Sequence, residues 1–249
     1  MKLKLISCEV FYREMCATIA RSSNQVDVEF LPKGLHDIGQ VGMSARMQAA
    51  VDKVDTSLYD AIIIGYGLCN NGLAGLTARA IPLVMPRGHD CITMFLGSKE
   101  RYLDYFNSHP GVYFKTSGWI ERSEANSELS QLSIQRMAGL DKSYDELVEK
   151  YGEDNAQYLY DQLYGYKNYG QITFIEMGVE PDDRFEQSAK KTADEKGWQF
   201  KKVRGDMRLI EKLVSGDWNE EEFLVVQPGY RIVVDYNDPA RIIKSEKAA

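Results

Sequence analysis

A chain of 249 residues with 44% hydrophobic and 27% charged side chains can bury a substantial core without disulfide staples. Its net charge of -7 speaks against a nucleic-acid partner, which would call for clustered Lys and Arg. No run approaches the roughly 20 apolar residues of a membrane span. The one short basic cluster, Lys201, Lys202 and Arg204, reads as a solvated strand edge. The opening MKLKLISCEV lacks the apolar core of a signal peptide, so a cytoplasmic location is expected. In that compartment four Cys are expected as reduced thiols, metal ligands or nucleophiles.

In chain order, Leu3 to Ile6 reads as a strand, Phe11 to Ile19 as a helix, and the alternation of Val26, Val28 and Phe30 as a second strand. Met43 to Val54 has a helical period, and Asp60 to Gly65 is a buried strand. A short helix over Leu73 to Arg79 leads to a fourth strand, Ile81 to Met85. Met94 to His109 reads as a helix with His109 near its end, and Val112 to Trp119 as extended. Residues 121–169 are rich in Glu, Gln, Ser and Tyr, with helical patterns over 129–137, Tyr144 to Tyr151 and Asn155 to Tyr164. The tyrosines at its end, Tyr158, Tyr160, Tyr164, Tyr166 and Tyr169, are expected to pack. Ile172 to Met177 and Trp198 to Val203 read as strands flanking a helix over Asp182 to Lys196 that Gly197 terminates. Leu209 to Val214 is a short helix and Phe223 to Gln227 a last buried strand.

Alternating strands and helices predict an α/β, doubly wound fold with mainly parallel sheets. The similar element order in the two halves suggests two related Rossmann-like lobes: 1–120 carrying the cysteine site, a helical insertion over 121–169, a second lobe over 170–238, and a frayed tail over 239–249.

In such sheets chemistry collects in the loops at the carboxyl ends of the strands. Cys8, Cys69 and Cys91 each follow a predicted strand, and His89 stands two residues before Cys91. Thiolate and imidazole donors suit zinc, and three thiolates also suit a [4Fe-4S] cluster with one accessible iron. Gly65, Gly67 and Gly72 around Cys69 are read as letting backbone pass close to a cofactor. Glu9, Asp90 and His36 are candidate acids or bases, and Arg87 a candidate clamp for an anionic substrate. Cys16, in mid-helix, reads as a small buried hydrophobe. Neither GxxxxGK[ST] nor an early GxGxxG is present to suggest a nucleotide.

The segments GYGLCNNGL (65–73) and PRGHDCITMFLGSKERY (86–102), followed by SGW (117–119), resemble the uncharacterised family catalogued as domain of unknown function 1638, over most of the chain up to about Pro228. The resemblance puts Cys8, Cys69, His89 and Cys91 on the family's motif positions. It implies an anaerobe or methanogen setting near corrinoid-dependent methyltransferases, hence one-carbon or methylated-amine metabolism.

The leading expectation is a zinc-thiolate enzyme or accessory protein of methyl or thiol metabolism that activates a small-molecule substrate. One alternative is a [4Fe-4S] lyase or dehydratase. Another is a non-enzymatic module that delivers a corrinoid or a metal to a partner methyltransferase.

Overall fold

The computed structural model describes residues 1–122, 129, 132–133, 144–164, 169–238 and 241–248. Most of the helical period expected over 129–137, Tyr166, and positions 239, 240 and 249 of the expected tail lie outside them. The chain is α/β with mainly parallel sheets, and its architecture follows from which strands can be buried on both faces.

Strands β3 (Ala61–Gly65) and β4 (Leu83–Pro86) are apolar and buried throughout, as strands covered on both faces must be, and β1 (Lys2–Cys8) is buried except at Lys2 and Lys4. They form the middle of a five-stranded sheet of order β2-β1-β3-β4-β8, with β2 (Gln25–Leu31) on one edge and β8 (Phe223–Val226) on the other. The first four are parallel and β8 runs antiparallel to β4. Helices α1 (Tyr12–Ile19) and α2 (Gly39–Asp52) occupy the first two crossovers.

A second, three-stranded parallel sheet contains β5 (Val112–Lys115), β6 (Gln171–Glu176) and β7 (Gln199–Arg204) in that order. Helix α8 (Arg184–Lys196) packs on β6 and β7 and against α5 (Ser117–Glu121), while α3 (Cys91–Leu96) and α4 (Lys99–Ser108) precede β5, with Tyr105 of α4 hydrogen-bonded to Thr173 of β6. Helices α6 (Tyr144–Tyr151) and α7 (Glu153–Tyr164) form an antiparallel pair in the expected insertion. The helix expected over 94–109 is divided because Gly97 takes a left-handed φ of 78° and closes α3.

Pairing departs from chain order at four places. β5, expected in the first lobe, joins the second sheet, and the FLVVQ strand, expected to complete a second lobe, crosses back to pair with β4. Helix α9 (Arg208–Ser215) returns with it and packs on β3 and β4, so the second sheet is inserted within the first unit and the two are not tandem copies. The helix expected over 73–79 is absent. Its apolar residues Leu73, Leu76 and Ala78 are buried, but Gly75 takes a φ of 90° and the segment exchanges backbone hydrogen bonds with β9 (Tyr230–Val234). The tail expected to fray instead supplies β10 (Ile243–Lys247), antiparallel to β9, with Ile243 fully buried.

Candidate functional site

Each parallel strand of the first sheet delivers a loop to the same edge. Cys8 ends β1; Lys33 and His36 follow β2; Tyr66, Cys69 and Asn70 follow β3; His89, Asp90 and Cys91 follow β4. All of these line one cleft of about 470 Å³, walled on the far side by Tyr113 and Phe114 of β5 and Trp119 of α5. The three cysteines expected to converge therefore do so.

Two loops are locked together to achieve this. Leu68 N–H donates to Gly88 O at 2.8 Å and Cys69 N–H to His89 O at 3.0 Å. Cys69, Asn70 and Asn71 all adopt left-handed backbone, with φ of 44°, 54° and 62°. That conformation costs an L-residue roughly 1–2 kcal/mol, less for Asn, so the neighbouring contacts must hold it in place.

Gly65, Gly67 and Gly72 do not line the cleft, which corrects their reading as cofactor contacts. A Cβ on Gly67 would stand 2.5 Å from the backbone carbon of Asp90, one on Gly65 would strike the Ser7 side chain, and one on Gly72 the Met43 thioether. These glycines let protein pack on protein, bringing the Cys69 and Cys91 loops together.

Burial dominates the thiols' acidity. It pushes Cys8 up to about 12. It raises Cys69 further, aided by the Cys8 and Asp90 charges, and raises Cys91 well above the ordinary thiol value, aided by Cys69, Asp90 and Cys8. As neutral thiols they are poor nucleophiles. Among the described residues, no three His, Cys, Asp or Glu side chains already stand as a ligand set for one metal ion.

Two buried donors face these sulfurs. Tyr66 Oη and Trp119 Nε1 have no hydrogen-bond partner by strict geometry. Each is nevertheless near enough to a sulfur, Tyr66 to Cys8 and Trp119 to Cys91, to favour its thiolate.

The expected acids and bases are distributed unevenly. Asp90 caps α3, accepting from Ile92 N–H at 2.9 Å, and also accepts from Tyr102 Oη at 3.1 Å; burial raises its pKa against these bonds. His89 borders the cleft with its ring tilted toward Tyr102, 6.2 Å between centroids. His36 meets Lys33 O through Nδ1 at 2.5 Å and Asp37 Oδ1 through Nε2 at 3.0 Å. Both partners are acceptors, so each ring nitrogen that carries a proton is bonded. Burial is the largest single influence and opposes protonation, but the Asp37 bond, the Asp37 charge and the Lys33 carbonyl together outweigh it and the pKa is raised. A doubly engaged ring is not a ligand.

Glu9 lies outside the cleft lining, its Oε1 accepting from Lys33 N–H at 2.8 Å and so bracing the loop after β2. Arg87 is the clear correction. It is buried away from the cleft and donates to the backbone carbonyls of Glu220, Phe223, Arg241 and Ile243, tying β8 and the β9-β10 hairpin to β4. Its Nε and Nη1 donors are spent on carbonyls, and it borders no part of the thiol cleft. Cys16 is half-buried on α1 and borders no part of the cleft.

Lys33, Tyr66, Tyr113 and Phe114 went unrecognised in the sequence. Lys33 and Tyr66 each follow a strand and share the positional signal of the cysteines, whereas Tyr113 and Phe114 reach the cleft only because β5 belongs to the other sheet.

Fold and cleft together define an α/β protein in which two parallel sheets meet over a thiol-lined site. The chain belongs to the family described as protein of unknown function (DUF1638), whose model matches residues 30–214. That span includes Cys69, His89 and Cys91 and begins beyond Cys8. Comparison with curated proteins and with solved structures found no match. Among the described residues no helix is long and apolar enough to cross a membrane.

Proposed function

We propose that Cys8, Cys69 and Cys91 hold a zinc ion as thiolates and that the ion activates a small substrate in the cleft, in an enzyme or accessory protein of methyl or thiol metabolism. The observation that carries this reading is the arrival of three thiols, from three different strand ends, at one cleft, where the Cys8 charge bears on Cys69 and the Cys8 and Cys69 charges bear on Cys91. Their soft donor chemistry suits zinc. The buried donors of Tyr66 and Trp119 add support, because a thiol sulfur is a weak acceptor and a metal-bound thiolate a strong one. A bound cation would reverse the effect of burial, ionising the thiols as it draws them inward. His89, on the Cys91 loop, is the candidate fourth donor at rest, and its displacement would open a coordination position to substrate. A coordinated thiol substrate would lose its proton and become nucleophilic toward a methyl donor.

The test is metal analysis of protein purified without oxygen. About one zinc per chain is expected, with most of it lost in Cys69→Ser and in Cys8→Ser. Absence of metal from the wild type, or unchanged metal in both variants, would end the proposal. A brown protein bleached by air would move the same thiols to an iron-sulfur cluster.

A further inference from the structure

The cleft holds a second chemistry that does not depend on the thiols. Lys33, half-buried beside Cys8, carries its ammonium 5.2 Å from the centre of the Trp119 ring, and Lys33 Nζ makes no salt bridge among the described residues. Burial lowers its pKa, as expected for a cation without a bonded counter-charge. The Asp37 and Glu9 charges offset burial only in part, without bonding to the ammonium: Asp37 is bonded to His36, Glu9 to the Lys33 backbone N–H, and Asp90 to its helix cap and Tyr102. The His36 ring stands on the same loop, edge-on to Trp119 at 5.5 Å. Trp119 thus adjoins both, and Phe114 and Tyr113 continue the aromatic lining, with Val10 and Ile92 also in it.

A half-buried cation facing an aromatic wall suits a ligand with one anionic end and one flat apolar end. We propose that this cleft binds a small organic anion whose charged group, a carboxylate or a phosphate, rests on Lys33 and whose apolar body stacks against Trp119 and Phe114. A cleft of about 470 Å³ accommodates a molecule of this size. Bound there, the ligand lies alongside Cys8, so the site selects a substrate for the thiol centre by charge.

Calorimetry with phenylacetate, phenyl phosphate and neutral phenylacetamide tests this, on reduced protein treated with a chelator so that no metal takes part. One or both anions should bind roughly tenfold or more tightly than the amide, as for a hydrogen bond to a charged group. Which of the two anions binds tighter identifies the charged group. Lys33→Met should abolish the preference and Lys33→Arg should keep it. In the wild type the anion affinity should fall with added salt while the amide's does not, a readout that needs no variant. Equal binding of anion and amide, no saturable binding of any probe at millimolar concentration, or a preference that survives Lys33→Met would overturn the proposal. Failure of the zinc reading shows separately, in the metal analysis.

Discussion

The two sheets bury their strands to different depths, and the chemistry follows the deeper one. Every residue of β3 and β4 is buried, whereas β7 alternates exposed and partly covered positions along an open edge. All three cleft cysteines, with Lys33 and His36, stand at or just beyond strand ends of the first sheet; the second lends an aromatic wall through β5 and α5. Loops anchored on strands packed on both faces hold side chains in place, while the second sheet joins the main core through Ile175 and adds a small cluster of its own around Ile172, Phe174 and Phe185. The difference assigns positioning of the thiols to the first sheet and the aromatic side of the cleft to the second.

The largest expected effect contrasts the two cores. Ile63, fully buried in β3, should cost about 4 kcal/mol when replaced by Ala. Phe200, only partly covered in β7, should cost less than about 2 kcal/mol on truncation to Ala, because part of its surface is already in water. Chemical denaturation measures both. Equal losses would mean that the second sheet is as firmly built as the first.

The seam between the sheets supplies the next. Glu14 on α1 is fully buried with both carboxylate oxygens unpartnered. Burial, aided by the nearby Glu180 and Glu121 charges, raises its pKa from 4.5 to about 8. Between those values the folded chain keeps a proton that the unfolded chain releases, so this group's contribution to stability is greatest below pH 4.5 and declines as pH rises toward 8. Glu14→Gln should remove the decline. The variant should match the wild type near pH 4.5 and exceed it by about 4 kcal/mol at pH 8, in thermal melts across that range. Parallel curves for the two proteins would refute the assignment.

A smaller effect is expected where the chain crosses back to the first sheet. Arg87→Met removes the donors that join β4 to β8 and the hairpin, and should cost about 2 kcal/mol while leaving the metal content of the cleft unchanged. Loss of metal in that variant would place Arg87 back among the residues of the site.

The positions of Cys8, Cys69 and Cys91 were readable because local signals suffice. An apolar run sets a strand, glycine or proline ends it, and a parallel sheet gathers the loops beyond its strand ends at one edge. Helices α1, α2, α8 and α9 were legible from their apolar spacing, and Gly197 closes α8 in the left-handed conformation expected of it. The roles of Arg87 and the glycines were not legible. A side chain's direction beyond a strand end depends on which strand lies alongside, and a glycine beside a site looks the same whether a ligand or another loop needs the space.

By itself the sequence determined the parallel α/β character, most element positions and the convergence of three thiols, since each rests on periodicity within a few residues. Only the tertiary structure decided that β5 changes sheets, that β8 returns antiparallel, that the C-terminal segment forms a hairpin and that Lys33 faces an aromatic wall. Those outcomes rest on hydrogen bonds and apolar contacts between segments distant in the chain, and no local pattern encodes a partner that far away.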